Sequence, residues 1–240
     1  MKLLGIDSSG LVASVALVFD DVMIAEYTTN FKKTHSQTLL PMIDEMLTMT
    51  GVSLADIDAI AVAAGPGSFT GLRIGSSTAK GLGLALNKPI IPVKTVEGLA
   101  YNLYGTNKRI CPIMDARRNQ VYTGIYRMEG EELVVLSNQR AVDIESLIEE
   151  LNQNEDPVIF LGDGVPVYKD SITRGMKTAY QFAPAHLAMQ RAGALCKRAQ
   201  ILFQQGIYES AGDHKPDYLR LSQAERERNE KMQPGVYDDN

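Results

Sequence analysis

Three short segments bring together residue types that can handle anions or protons. Asp7-Ser8-Ser9 ends an apolar run, and a carboxylate with two hydroxyls there can hold a phosphate or a metal at the mouth of a hairpin. Asp115-Ala116-Arg117-Arg118 stands at the equivalent point of the second half. Gly65-Pro66-Gly67-Ser68-Phe69-Thr70-Gly71 is a glycine-rich junction of the kind that offers backbone N–H groups to an anion at a helix N-terminus. Each has a plainer reading. An Asp at a turn commonly accepts hydrogen bonds from the residues that follow it. The glycine segment misses both phosphate-loop patterns, since Gly71 leads into Leu72-Arg73 and three residues separate Gly67 from Gly71. A tight turn is its simpler role.

Other chemistry is thinly supplied. His35, His186 and His214 are the only histidines, and none sits in an H-x-x-x-H pair, so neither a zinc site nor a Ser-His-Asp set is expected. Cys111 and Cys196 read as buried packing residues, and two cysteines make no disulfide framework, which points to a reducing, cytoplasmic setting.

These segments need elements to hold them. Apolar runs predict strands over 3–9, 14–20, 23–29, 58–64 and 90–93, with helices over 36–50, 71–86 and 95–104. The second half repeats the order, with strands over 110–115, 121–127, 133–136 and 158–162 and helices over 143–151 and 184–205. Ile6-Asp7 and Met114-Asp115 then occupy equivalent points of a duplicated α/β unit. The expected division is a first lobe over 1–105, a second over 106–222 and an exposed charged tail over 223–240.

Two helices carry more than a core stripe requires. In 36–50, Leu40, Ile43 and Leu47 form one apolar row, and Leu39, Met42, Met46 and Met49 a second, methionine-rich row that suits a protein surface. In 71–86, Gly71, Gly75, Ala79 and Gly83 recur every four residues along one face. An interior helical glycine costs about 0.5–1 kcal/mol relative to alanine, so a closely packed backbone must offset it. Packing on the chain's own sheet or on a partner would serve. Together the rows point to a partner.

Composition narrows the classes. The chain has 240 residues, 45% of them apolar and 22% charged, enough to form a core. No apolar run approaches the roughly 20 residues that span a bilayer, and Met1-Lys2 runs straight into a strand-like Leu3–Ile6 without a signal-peptide pattern, so none is expected. A net charge of −5 and a pI near 5.3 count against free-standing nucleic-acid binding.

Four motifs in order, Leu-Gly-Ile-Asp7-Ser-Ser, Gly65-Pro-Gly-Ser-Phe-Thr-Gly-Leu-Arg73, Met114-Asp-Ala-Arg-Arg118 and Pro216-Asp-Tyr-Leu-Arg220, resemble the TsaB (YeaZ) family over nearly the whole chain. The resemblance implies an α/β fold of the actin, Hsp70 and sugar-kinase (ASKHA) type, with two lobes of duplicated β-β-β-α-β-α topology. It implies a non-catalytic partner of the paralogous subunit TsaD in forming N6-threonylcarbamoyladenosine (t6A) next to the anticodon of tRNAs that read codons beginning with A. TsaE, an ATPase, joins the larger complex, ATP and metal belong to those partners, and the chain contacts tRNA only through them. The family contacts TsaD through the two helices just described, and pairs with itself through the same face when TsaD is absent. In TsaD a histidine pair holds the metal; Thr95 and Leu99 stand at those positions here and supply no imidazole. Two alternatives remain at this point: a nucleotide-binding or ATP-hydrolysing protein using Asp7 and Asp115, and a glycoprotease-like peptidase.

Overall fold

The computed structural model describes residues 1–31 and 34–219, so Arg220 and the expected tail lie outside the described residues. Strands β1 (Lys2–Asp7), β2 (Ala13–Phe19), β3 (Val22–Thr29), β4 (Ala59–Gly65) and β5 (Ile90–Lys94) form one sheet in the order β3-β2-β1-β4-β5. The hairpins β1–β2 and β2–β3 are antiparallel. The pairs β1–β4 and β4–β5 are parallel because α1 (His35–Thr50) and α2 (Phe69–Leu86) carry the chain back across the sheet. A second sheet repeats this order as β8-β7-β6-β9-β10, built from β6 (Arg109–Asp115), β7 (Gln120–Glu129), β8 (Glu132–Asp143), β9 (Val158–Leu161) and β10 (Tyr180–Phe182). This is the duplicated α/β arrangement expected of an ASKHA fold.

Helices fill the layers between and outside the sheets. α1 and α2 cover one face of the first sheet, where Leu39, Ile43, Met46 and Ala79 meet Leu4, Ile6, Val15 and Ile60. α6 (Ala192–Gln204) covers the other face with Ala192, Leu195, Cys196, Ala199 and Leu202. α3 (Thr95–Ala100) lies between the lobes and packs Val96, Leu99 and Ala100 against Ile110, Met114 and Tyr126 of the second sheet. α4 (Ile144–Leu151) and α5 (Gly164–Gly175) close the far side. No helix among the described residues is long and apolar enough to cross a membrane.

Three expectations need correction. The helix expected over 184–205 begins only at Ala192. Before it, the Asn102 amide donates to the carbonyls of Leu187 and Met189, which holds that stretch in turns. The N-terminus of α6 is instead fastened to the first lobe, where Ser14 Oγ accepts from Ala192 N–H and Glu26 Oε1 from Gly193 N–H. The second lobe therefore does not run from 106 to 222. From Ala192 the chain has returned to the first lobe, and after α6 it pairs Glu209 with Ile90 at the β5 edge. Finally, α5 and β10 had no expected counterpart. α5 buries only Gly164, Tyr168 and Ile172, a stripe too narrow to stand out, and carries Pro166 in its first turn, where a missing N–H is tolerated.

Candidate functional site

The helices of the first lobe place their small and apolar residues differently from the expected partner rows. Leu39 is 1% exposed and Met46 0%, because 39, 43 and 46 share the face that meets the sheet. Met42 is half-buried beside them, and only Met49 of that row projects, at 73% exposed. The small-residue row of α2 also faces inward. Gly71 sits against the carbonyl oxygen of Ser8, Gly75 against the Ser8 hydroxyl, and Gly83 against Ala211, whose Cβ would lie 2.8 Å from a Cβ at that position. Ser8 Oγ donates to the Gly71 carbonyl at 2.8 Å, and Ala79 is fully buried. Gly71 and Gly75 close the helix onto the β1–β2 turn, and Ala79 and Gly83 onto the sheet and Ala211 of the same lobe. These small residues are used inside the chain, and the outward surface is formed by other residues.

The outward face of α2 is the opposite one. Arg73, Ser77, Gly81 and Ala85 recur every four residues and all are exposed, with Leu84 beside them at 60%. A Cβ added at Gly81 would meet nothing within 4 Å, so nothing among the described residues requires a glycine there. On α1, Leu40 (55% exposed) and Met49 project from the neighbouring surface. The sequence reading missed this row because Gly81 is a single glycine and the row around it is mixed in type.

Between the lobes opens a cleft of about 790 Å³ that brings Ser9, the 66–71 turn, His35, Asp115 and Asp163 together. Its carboxylates are largely spent on protein partners. Asp7 is buried, and its Oδ1 accepts from Ser9 N–H at 2.9 Å and Ser9 Oγ–H at 2.6 Å, the local turn bonding of the plainer reading. Burial raises its pKa from 3.8 to about 6 against those bonds. Asp115 accepts from Arg117 N–H at 2.8 Å and Tyr168 Oη–H at 3.1 Å, and pairs with the Arg117 guanidinium at 3.0 Å. Burial likewise raises Asp163 to about 6. The Ser9 carbonyl is taken by Ser68 N–H at 2.7 Å. The Asp7 and Asp115 turns therefore each bond within themselves, and the first also bonds to the glycine-rich turn through Ser68. Arg117 and Arg118 are exposed on a turn of consecutive positive φ angles, 64° and 55°.

A raised carboxylate pKa carries a defined sign. The folded chain holds the Asp7 proton more tightly than the unfolded chain, so ionising it removes stability between about pH 4 and 6 and leaves a constant deficit above. Asp7→Asn keeps the acceptor oxygen and removes the charge. Its melting temperature is expected to exceed the wild type's at pH 8, by the equivalent of about 1–3 kcal/mol, and to converge on it near pH 4. Thermal melts across that range check this, and a difference independent of pH contradicts it.

The other expected residues fall out as follows. Thr95 and Leu99 are buried in α3, with Leu99 in an apolar cluster. No group of three or more His, Cys, Asp or Glu among the described residues is placed to hold a metal ion. Burial pushes the Cys111 thiol up to about 12 and raises Cys196 as well, so neither is a ready nucleophile. His35 Nε2 bonds the Gly10 carbonyl oxygen at 2.8 Å, and His186 is exposed. His214 takes a role that no motif in the chain announces. Its Nε2 lies 3.0 Å from Ser76 Oγ and its Nδ1 2.6 Å from Glu209 Oε1, the connectivity of a hydrolase triad. Ser76, however, is 5% exposed in the middle of α2, whose backbone N–H groups are spent on the helix and cannot form an oxyanion hole. The array latches the C-terminal strand of chain onto α2. No spacing signal could have found it, since Ser76 and His214 are 138 residues apart.

Comparison with known proteins agrees with this architecture. The family model described as "TsaD: tRNA N6-adenosine threonylcarbamoyltransferase" matches residues 23–228. The Bacillus subtilis "tRNA threonylcarbamoyladenosine biosynthesis protein TsaB" is 36% identical over 94% of this chain and 96% of its own length. The Escherichia coli protein of that name is 30% identical over 92% and 95%. YeaZ from Pseudomonas aeruginosa superposes with a TM-score of 0.79 at 29% identity, covering 91% of this chain and 99% of that one. With the duplicated lobes, the four motifs and relatives matching end to end, the chain belongs to the TsaB (YeaZ) family.

Proposed function

We propose that this chain is the non-catalytic subunit that docks on TsaD and thereby supports t6A formation on tRNAs reading codons that begin with A. The observation that carries the docking surface is Gly81, a glycine in the middle of an exposed helical face with open space where a Cβ would stand. Such a glycine costs about 0.5–1 kcal/mol with no return among the described residues, and close approach of a second helix supplies the return. Exposed Leu84, Leu40 and Met49 around it provide apolar area for that contact. The relatives' names supply the pathway. TsaD shares the two-lobed fold by the family match, so equivalent helices of two like chains meet in near-twofold fashion, and the same face pairs two copies when TsaD is absent.

Binding acts by favouring the competent state of TsaD over its alternatives. On this reading ATP and metal reside on TsaD and TsaE, tRNA is engaged through the assembly, and the chain works in the cytoplasm without a cofactor of its own. Spent cleft carboxylates and a buried Ser76 support it over the nucleotide-hydrolysing and peptidase alternatives. Mixing the chain with TsaD of the same organism and measuring association by calorimetry tests it. A saturable one-to-one complex is expected, and no association refutes the reading.

A further inference from the structure

At the head of the outward α2 face, one guanidinium is built into the surface with most of its donors unused. Arg73 lies over the Phe69 ring, its Cζ 4.0 Å from the centroid, and donates Nε–H to Tyr218 Oη at 3.2 Å. Tyr218 in turn packs on Phe69 with ring centroids 4.8 Å apart. Tyr218 is carried there by the C-terminal strand of chain, which is fixed at three further points. His214 bonds Ser76, Asp217 N–H donates to the Ala64 carbonyl at 2.7 Å, and Gln139 Nε2 donates to Asp217 Oδ2 at 2.9 Å across the lobes. The side chain is thus held from two directions, which removes rotamer freedom that binding would otherwise have to remove.

The held cation has no acid to meet among the described residues. Its two terminal nitrogens form no ion pair or hydrogen bond among the described residues, and α2 has no acidic residue in its first turn. A cation this close to a helix N-terminus opposes the helix dipole. A stacked, oriented guanidinium with a free fork is suited to bidentate capture of a carboxylate or phosphate. Arg73 shares its row with Ser77, Gly81 and Ala85, so a helix lying along that row reaches it.

We propose that Arg73, set by Phe69 and Tyr218, is the charged anchor of this surface and receives an Asp or Glu carboxylate from the partner helix that packs along Gly81. The inference rests on the TsaD-docking reading above. It adds the chemistry of the contact and makes the C-terminal strand of chain, through Tyr218, a positioning element for it.

The test titrates TsaD with the full chain as wild type, Arg73→Glu, Arg73→Lys, Tyr218→Phe and Gly81→Arg. Arg73→Glu is expected to weaken binding by about 10- to 100-fold, with Arg73→Lys between, since an ammonium lacks the fork. Its melting temperature should not fall, because a carboxylate suits that end of the helix. Tyr218→Phe, which keeps the ring and drops the hydroxyl, should lose a smaller factor. Lysine substitution of single acidic residues on TsaD's helices should then include one that restores binding to Arg73→Glu. Wild-type affinity for Arg73→Glu overturns the proposal, as does weakened binding that no such reversal restores. Arg73-dependent binding of inorganic phosphate to the isolated chain also overturns it, because the fork would then serve a small anion. Gly81→Arg separates the two readings. If it binds TsaD normally, the docking surface itself is misplaced; if it fails while Arg73→Glu binds normally, only the anchor is wrong.

Discussion

Gly81→Arg is expected to abolish complex formation with TsaD, by about 100-fold or more, while the chain melts at the same temperature as wild type or slightly higher. The two effects have opposite signs for one physical reason. In the free chain the position looks into open space, so a side chain clashes with nothing. Replacing an exposed helical glycine also recovers about 0.5–1 kcal/mol of propensity. In the complex the same side chain occupies the volume that the partner helix must enter, and overpacking a close helix–helix contact destroys it. Sedimentation with TsaD and thermal melts of the variant measure both quantities on one sample. Loss of stability together with binding contradicts the assignment of an open face.

Gly71→Ala provides the contrast, and the expected loss is of stability. A methyl there would overlap the backbone carbonyl of Ser8, which cannot move without breaking the β1–β2 turn. That carbonyl belongs to the segment whose neighbour, Ser9, accepts from Ser68 N–H, so the N-terminus of α2 would be pushed off the sheet. A cost of about 3 kcal/mol or more follows from overpacking against backbone. Chemical denaturation of Gly71→Ala and Gly81→Ala side by side reads the difference. The first should lose stability and the second gain about 0.5–1 kcal/mol. Equal behaviour of the two glycines would contradict the division of α2 into an inward and an outward row.

That division shows where sequence reading stops. The spacing of Gly71, Gly75, Ala79 and Gly83 correctly says that a backbone approaches closely, and it cannot say whose. Folding resolves the question in favour of Ser8 and Ala211 of the same chain. Leu39 and Met46 share that limit, because the buried face of α1 takes Leu39 and Met46 from one row and Ile43 from the other, and leaves Leu40 and Met49 exposed. Period and turn residues do determine the first lobe. Gly51 with φ 67° and Asn87 with φ 53° end α1 and α2 close to where the pattern stops.

The second lobe was less legible where tertiary contacts override propensity. The stretch before Ala192 has helical periodicity but is held open by Asn102, and α6 belongs to the first sheet although it lies late in the chain. Motifs that looked like ligand-binding turns proved to bond within themselves. Asp7 bonds Ser9, and Asp115 bonds Arg117, which a sequence can permit but not distinguish from an open site. The Ser76–His214–Glu209 latch and the Arg73–Phe69–Tyr218 cluster join residues remote in sequence. Only the folded chain shows them.

The claim that this chain works as a docking subunit is tested most directly by the t6A content of tRNA in a reconstituted reaction. TsaD, TsaE, tRNA and the threonylcarbamoyl-adenylate donor are supplied with the wild-type chain, with Gly81→Arg, or with neither. The account predicts modification with the wild-type chain and background levels with Gly81→Arg or without the chain. Full modification in the presence of Gly81→Arg, with background levels when the chain is left out, would contradict it.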